Sequence, residues 1–237
     1  MNAWPFIRQF LLPLCDFIYP PVCALCDGDL ARSDRAVCSL CWNSFAAVGP
    51  EHPVWRELGA KLASAGAIDG LFARYLFEKE ARLQDALHLL KYGGWKSIGV
   101  RLGADLGNAL GAQSWSEDID LLIPVPLHSV KERERGYNQA ALICRGIGEV
   151  THLPVSPRLL KRVRYTGSQT KLSAEERRLN VEGAFAVRRG AEVVVRDRSI
   201  LLVDDVLTTG ATVSACVSAL RKAGAARVFI AAAALAQ

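Results

Sequence analysis

Apolar residues recur along this chain with two distinct periods. Leu83, Ala86, Leu87 and Leu90 fall at i, i+3, i+4 and i+7, and Val213, Cys216, Val217 and Leu220 repeat that spacing, so both stretches predict helices with one buried face. Ser199 to Val203, by contrast, is short and almost uniformly aliphatic, which suits a strand buried on both faces of a parallel sheet. Asp120 to Val125 and Arg227 to Ala234 are read as strands too, with further strands over Leu71 to Phe77 and near Pro157 to Lys161. Helices are expected over Trp55 to Ala65, Ile98 to Leu110 (despite its glycines), Asn138 to Val150 and Thr209 to Ala223. The order is a β/α alternation, which predicts a doubly wound parallel sheet with ligands at the C-terminal strand ends. Gly49-Pro50-Glu-His-Pro53 interrupts the pattern early, so three parts are expected: an N-terminal segment and module over 1–50, a linker helix over 51–65 and the main domain over 66–237.

The run Ile200-Leu-Leu-Val-Asp-Asp-Val-Leu-Thr-Thr-Gly-Ala-Thr-Val213 carries the most specific chemistry. Asp204 and Asp205 are expected at the C-terminal end of the strand, and the next helix starts inside the turn formed by Thr208, Thr209, Gly210, Ala211 and Thr212. Backbone N–H groups and the positive dipole end at a helix start favour a phosphate, and threonine hydroxyls add donors. Two carboxylates beside that turn can accept hydrogen bonds from vicinal ribose hydroxyls. The combination predicts one compact site for a ribose 5-phosphate, with an ordinary strand-turn-helix as the plain alternative.

Near the N-terminus, Cys23-x-x-Cys26 precedes Cys38-x-x-Cys41 with eleven residues between the pairs. Four thiolates at this spacing suit tetrahedral, structural zinc, because four sulfurs leave no open coordination position. Disulfides are the alternative, and they require an oxidising compartment. The remaining Cys15, Cys144 and Cys216 sit in apolar surroundings that read as reduced core thiols.

The acidic pair and Thr-Thr-Gly-x-Thr turn resemble the signature by which type I phosphoribosyltransferases bind phosphoribosyl pyrophosphate (PRPP). A four-cysteine module ahead of such a domain resembles the ComF family, named for competence, the uptake of DNA by bacteria. Pro21-Val-Cys-Ala-Leu-Cys26, Leu90-Lys-Tyr-Gly93, Val125-Pro126 leading to Arg135-Gly-Tyr-Asn-Gln139, and Gln169 to Asn180 extend that likeness over almost the whole chain. The resemblance implies a type I phosphoribosyltransferase-like α/β fold behind a small zinc module. It gives Asp204 and Asp205 catalytic as well as PRPP-binding roles, and Thr208 to Thr212 the phosphate. The loop after the Asp120 to Val125 strand is expected to hold pyrophosphate through Lys131, Arg133 and above all Arg135, with Gly136 letting backbone amides approach and Asn138 and Gln139 orienting the loop. Tyr165 to Lys171 and Arg177-Arg-Leu-Asn180 resemble a hood loop that closes over PRPP, with Lys171 and Arg177 or Arg178 supplying charge. A helix start capped by Ser173 accounts for several of the same residues. His128 is expected to stabilise its loop rather than to transfer protons, and Lys91 to complement a helix C-terminus before reaching any substrate.

Composition narrows these expectations. At 237 residues, 51% of them hydrophobic, the chain supports one substantial core and a small appendage. Phe10-Leu-Leu-Pro-Leu-Cys15 is broken by Pro13 and is too short to span a bilayer, so no membrane insertion and a cytoplasmic location are expected. The formal net charge is +5, yet Arg158 to Arg198 alone holds eleven Lys/Arg against five Asp/Glu, a local basic surface for pyrophosphate or nucleic acid. No row of aromatics at regular spacing offers a base-stacking platform. Three functions remain open: a phosphoribosyltransferase using Mg-PRPP and an unidentified nitrogen acceptor, a competence factor handling single-stranded DNA, and a PRPP-sensing regulator that binds another protein, such as one of the competence machinery. The combination of a real PRPP site with a role in DNA uptake and processing fits most of the residues, with zinc module and basic stretch as the DNA surface.

Overall fold

A computed structural model describes residues 21–31, 34–64, 68–163 and 183–236. The chain divides into two compact units, Met1–Phe45 and Ala46–Gln237. In the first, the Cys23 to Cys26 turn and a short helix α1 (Ser39–Asn43), capped by the Cys38 sulfur, bring the two Cys-x-x-Cys pairs together.

The second unit opens with α2 (Pro53–Ser64), the helix expected as a linker. A four-stranded, wholly parallel sheet follows in the order β1-β6-β5-β2, built from β1 (Gly70–Phe77), β2 (Leu121–Pro124), β5 (Ser199–Leu207) and β6 (Arg227–Ala236). Ile200 to Val203 on β5 and Val228 to Leu235 on β6 are essentially inaccessible, as central strands covered on both faces must be. Between β1 and β2 run α3 (Arg82–Tyr92) and α4 (Lys96–Leu110); α5 (Ser129–Arg135) and α6 (Gln139–Thr151) follow β2, and α8 (Ala211–Lys222) joins β5 to β6 after the short α7 (Glu192–Val195). The predicted apolar stripes are the buried ones: Leu83, Ala86, Leu87 and Leu90 on α3, and Val213, Cys216, Val217 and Leu220 on α8.

One expectation changes, and one is explained. The strand near Pro157 to Lys161 is β3 (Leu160–Arg162); it pairs antiparallel with β4 (Phe185–Val187) in a separate two-stranded sheet, outside the parallel one. The glycines of α4 are there for packing. A methyl group at Gly103 would stand 2.0 Å from the Ile143 carbonyl oxygen, and one at Gly146 2.0 Å from that of Val100, so α4 and α6 touch backbone to backbone.

Candidate functional site

The sheet ends unevenly, and the site lies in the step. β2 pairs with β5 as far as Pro124 opposite Val203, and the Val125 amide donates the last rung to the Val203 carbonyl at 2.8 Å. β5 continues to Leu207, past the end predicted at Val203, because β6 still supports it through Ala232, Ala234 and Leu235. Asp204 and Asp205 therefore occupy a stretch of strand flanked by β6 alone. Their oxygens hold neighbouring amides: Asp205 N–H donates to Asp204 Oδ1 at 2.9 Å and Val206 N–H to Asp205 Oδ1 at 2.8 Å. Removal from water, and then the Asp205 charge, push the Asp204 carboxyl well above the usual carboxylate range.

The turn after the strand places Thr208 in solvent, with Thr209, Ala211 and Thr212 half-buried. Helix α8 starts at Ala211, two residues later than expected, because Gly210 adopts the left-handed conformation (φ 75°) and forms its N-cap without a capping side chain. The first-turn amides thus receive no cap from that residue, the arrangement in which a helix start accepts an anion. A Cβ at Gly210 would lie 3.0 Å from Leu62 Cδ2 and 3.1 Å from Leu58 Cδ1, so α2 backs the turn.

Lys91 is expected to complement its helix C-terminus before reaching any substrate. It stands in the last turn of α3, yet its ammonium goes to Asp205 Oδ2 at 2.8 Å. Burial draws the Lys91 pKa down, but the charges of Asp205 and Asp204 outweigh it and leave the pKa above the ordinary lysine value. Lys91 also lines a cavity of about 260 Å³ together with Lys131, Arg135, Glu134, Tyr92 and Tyr137. Three cations and one carboxylate face that space, and among the described residues neither Lys131 nor Arg135 has an ion-pair partner. Tyr137 Oη donates to the Leu90 carbonyl and ties the end of α3 to the chain after α5.

The segment after β2 is helical where a loop was expected. His128 caps α5, its Nδ1 accepting from Val130 N–H at 3.3 Å, which is the loop-stabilising role read from the sequence. Arg135 closes α5 with its guanidinium 5.2 Å from the Tyr92 ring centre. Gly136 is the left-handed C-cap (φ 79°), and its amide donates to the Glu132 carbonyl at 2.8 Å, so it shapes the turn instead of presenting that amide outward. Asn138 orients its surroundings by donating to the Val125 carbonyl (2.9 Å) and accepting from Ala140 N–H (3.0 Å). Lys171, Arg177 and Arg178 lie outside the described residues.

In the first unit the sulfurs of Cys23, Cys26, Cys38 and Cys41 all lie within 4.8 Å of one another, and none forms a disulfide. Zinc–sulfur bonds of about 2.3 Å place the sulfurs of a tetrahedron about 3.8 Å apart; Cys26 and Cys38 Sγ are separated by 3.8 Å. Burial pushes the Cys23 thiol up, but amide donors from Cys38 and Leu25 reverse that and bring it down to about 6. Burial, and then the crowding of the other sulfurs, raise Cys41. The donor set is that of structural zinc, which Cys23, Cys26, Cys38 and Cys41 would hold as thiolates.

Two family models match the chain, a phosphoribosyl transferase domain over residues 153–236 and a double zinc ribbon domain over 14–69. The DNA utilization protein YhgH of Salmonella typhimurium is 36% identical over 226 residues, 89% of this chain and 95% of that protein. Competence protein F of Haemophilus influenzae is 38% identical over 105 residues, spanning 44% of this chain and 45% of that protein. Competence protein ComFC of Bacillus subtilis is 25% identical over 196 residues, 81% of this chain and 74% of that one.

Proposed function

The chain belongs to the ComF family, and from that premise we propose that it binds Mg-PRPP at the end of β5 and serves DNA uptake and processing during competence. The observation that carries the first half is the acidic pair left unflanked beyond β2, beside an uncapped helix start and a cationic cavity. The 5′-phosphate takes the Thr208 to Thr212 turn, the ribose hydroxyls take Asp204 and Asp205, and the pyrophosphate lies toward Lys91, Lys131 and Arg135. Magnesium arrives with the substrate, which supplies most of its oxygens, and offsets the pyrophosphate charge. Lys91 holds Asp205 ready and is itself positioned to meet an anion once ribose hydroxyls occupy that carboxylate. Lys171 and Arg177, outside the described residues, keep the charge-supplying role that the family resemblance implies. Zinc holds the N-terminal module together and takes no part in chemistry.

The second half rests on relatives named for competence and DNA utilization. No helix among the described residues is long and apolar enough to cross a membrane, and a cluster of thiolate ligands at Cys23, Cys26, Cys38 and Cys41 suits a reducing compartment, so we place the protein in the cytoplasm, on the inner side of DNA entry. Complementation tests the link. In a naturally transformable bacterium lacking its own relative, the wild-type chain restores transformation while Asp204→Asn/Asp205→Asn, present at equal level, does not. Equal restoration by both would separate the sugar-phosphate site from DNA uptake.

A further inference from the structure

Two tyrosines distant in sequence, Tyr92 and Tyr137, line the cationic cavity, and further aromatic residues neighbour Tyr92 along the chain. His88 and Tyr92 lie one turn apart on α3 with ring centres 4.9 Å apart; Gly93 and Gly94 then turn the chain, and Trp95 follows. Tyr92 is 69% exposed and Trp95 40%, far more than aromatic rings that serve a core. From the other side α5 and the residue after its cap contribute Arg135, placed over Tyr92, and Tyr137, with the Lys96 ammonium 5.1 Å from its ring centre. Lys131 completes the rim. Arg135 and Lys96 thus each stand beside an aromatic face, and against Lys91, Lys131 and Arg135 the cavity lining offers a single carboxylate, Glu134.

A ligand that complements this surface needs flat π-faces and negative charges spaced along a chain. An acidic peptide supplies the charge without the rings, and a duplex hides its base faces in the stack. We propose that the Tyr92 rim is a binding surface for single-stranded DNA, with bases stacking on Tyr92 and Trp95 and phosphodiesters against Lys131 and Arg135. This deepens the DNA part of the proposed function and moves the contact surface from the Arg158 to Arg198 stretch.

Fluorescence anisotropy on full-length, zinc-loaded protein tests the assignment with a labelled oligothymidine, an abasic strand of equal length and a duplex. The wild type binds the base-bearing strand in preference to the other two. Tyr92→Ala weakens that binding roughly 5- to 100-fold, the range for loss of a stacking ring, while Tyr92→Phe, which keeps the ring, binds as wild type. Asp204→Asn/Asp205→Asn retains the strand whether or not it loses Mg-PRPP, so failure of the sugar-phosphate reading registers separately in calorimetry. Equal affinity for abasic and base-bearing strands, an unchanged Tyr92→Ala, or loss on Lys161→Glu but not on Tyr92→Ala would each overturn the proposal, as would loss of the strand in a folded acid-pair variant.

Discussion

Asp204 bears the clearest conflict between stability and function. Unfolded, an aspartate ionises near pH 3.9, about its ordinary value; folded, burial and then Asp205 raise it well above that. Between those two values the folded protein binds more protons than the unfolded chain, so this group's contribution to stability falls as pH rises through the window and stays lost above it. Asp204→Asn is therefore expected to raise Tm at neutral pH, by about 2–4 °C per kcal/mol relieved, and to flatten the pH dependence, while reducing PRPP binding. Scanning calorimetry from pH 4 to 8 checks it; an unchanged or lower neutral-pH Tm would contradict the raised carboxyl. Lys91→Met tests the partner. It removes the 2.8 Å contact to Asp205 and is expected to weaken Mg-PRPP roughly tenfold or more, as loss of a charged hydrogen bond does. Ribose 5-phosphate, which lacks the pyrophosphate, should lose less, and isothermal titration of both ligands separates the two effects.

At the scale of elements, much of the main sheet was legible because its strands are short aliphatic runs and its helices have single apolar stripes. What the sequence hid were consequences of partnership. β5 runs past Val203 because β6 pairs with Asp204, Val206 and Leu207 there, information held some thirty residues downstream. β3 left the parallel sheet because its partner is β4, a three-residue strand without a pattern of its own. Helix α2, expected as a linker, also places Leu58 and Leu62 against the Gly210 position and so backs the threonine turn, a contact no local pattern announces. The acidic pair, the threonine turn and the four cysteines were legible because their chemistry is local; Lys91 and the Tyr92 rim were not, since their neighbours lie on other elements. Gly103→Ala probes the α4–α6 contact: with 2.0 Å to a carbonyl oxygen, the methyl group should cost at least about 3 kcal/mol and lower Tm by roughly 6–12 °C. In the N-terminal module, metal analysis of reduced protein should find stoichiometric zinc in wild type and in Cys144→Ala, whose thiol is buried in the core, and little in Cys23→Ser/Cys41→Ser. Zinc-free wild type would remove the ribbon's metal.

The whole molecule joins a zinc-held module to an α/β domain for which we propose two neighbouring surfaces, one for a sugar phosphate and one for aromatic bases. They share Lys131 and Arg135, so Mg-PRPP and a single strand should compete. Saturating Mg-PRPP is expected to raise the apparent Kd for oligothymidine, and rising salt to weaken the strand steeply as its counterions are exchanged. Independent binding of the two would mean that their anionic groups occupy different cations. A net +5 is modest for a protein that coats DNA, and three of its cations, Lys91, Lys131 and Arg135, line one cavity.

The most direct test of the account is a calorimetric titration of Mg-PRPP into reduced, zinc-loaded protein, run beside folded Asp204→Asn/Asp205→Asn. The account predicts saturable binding by the wild type that the double variant loses. No heat at several temperatures, or equal binding by both proteins, would contradict a sugar-phosphate site at the end of β5.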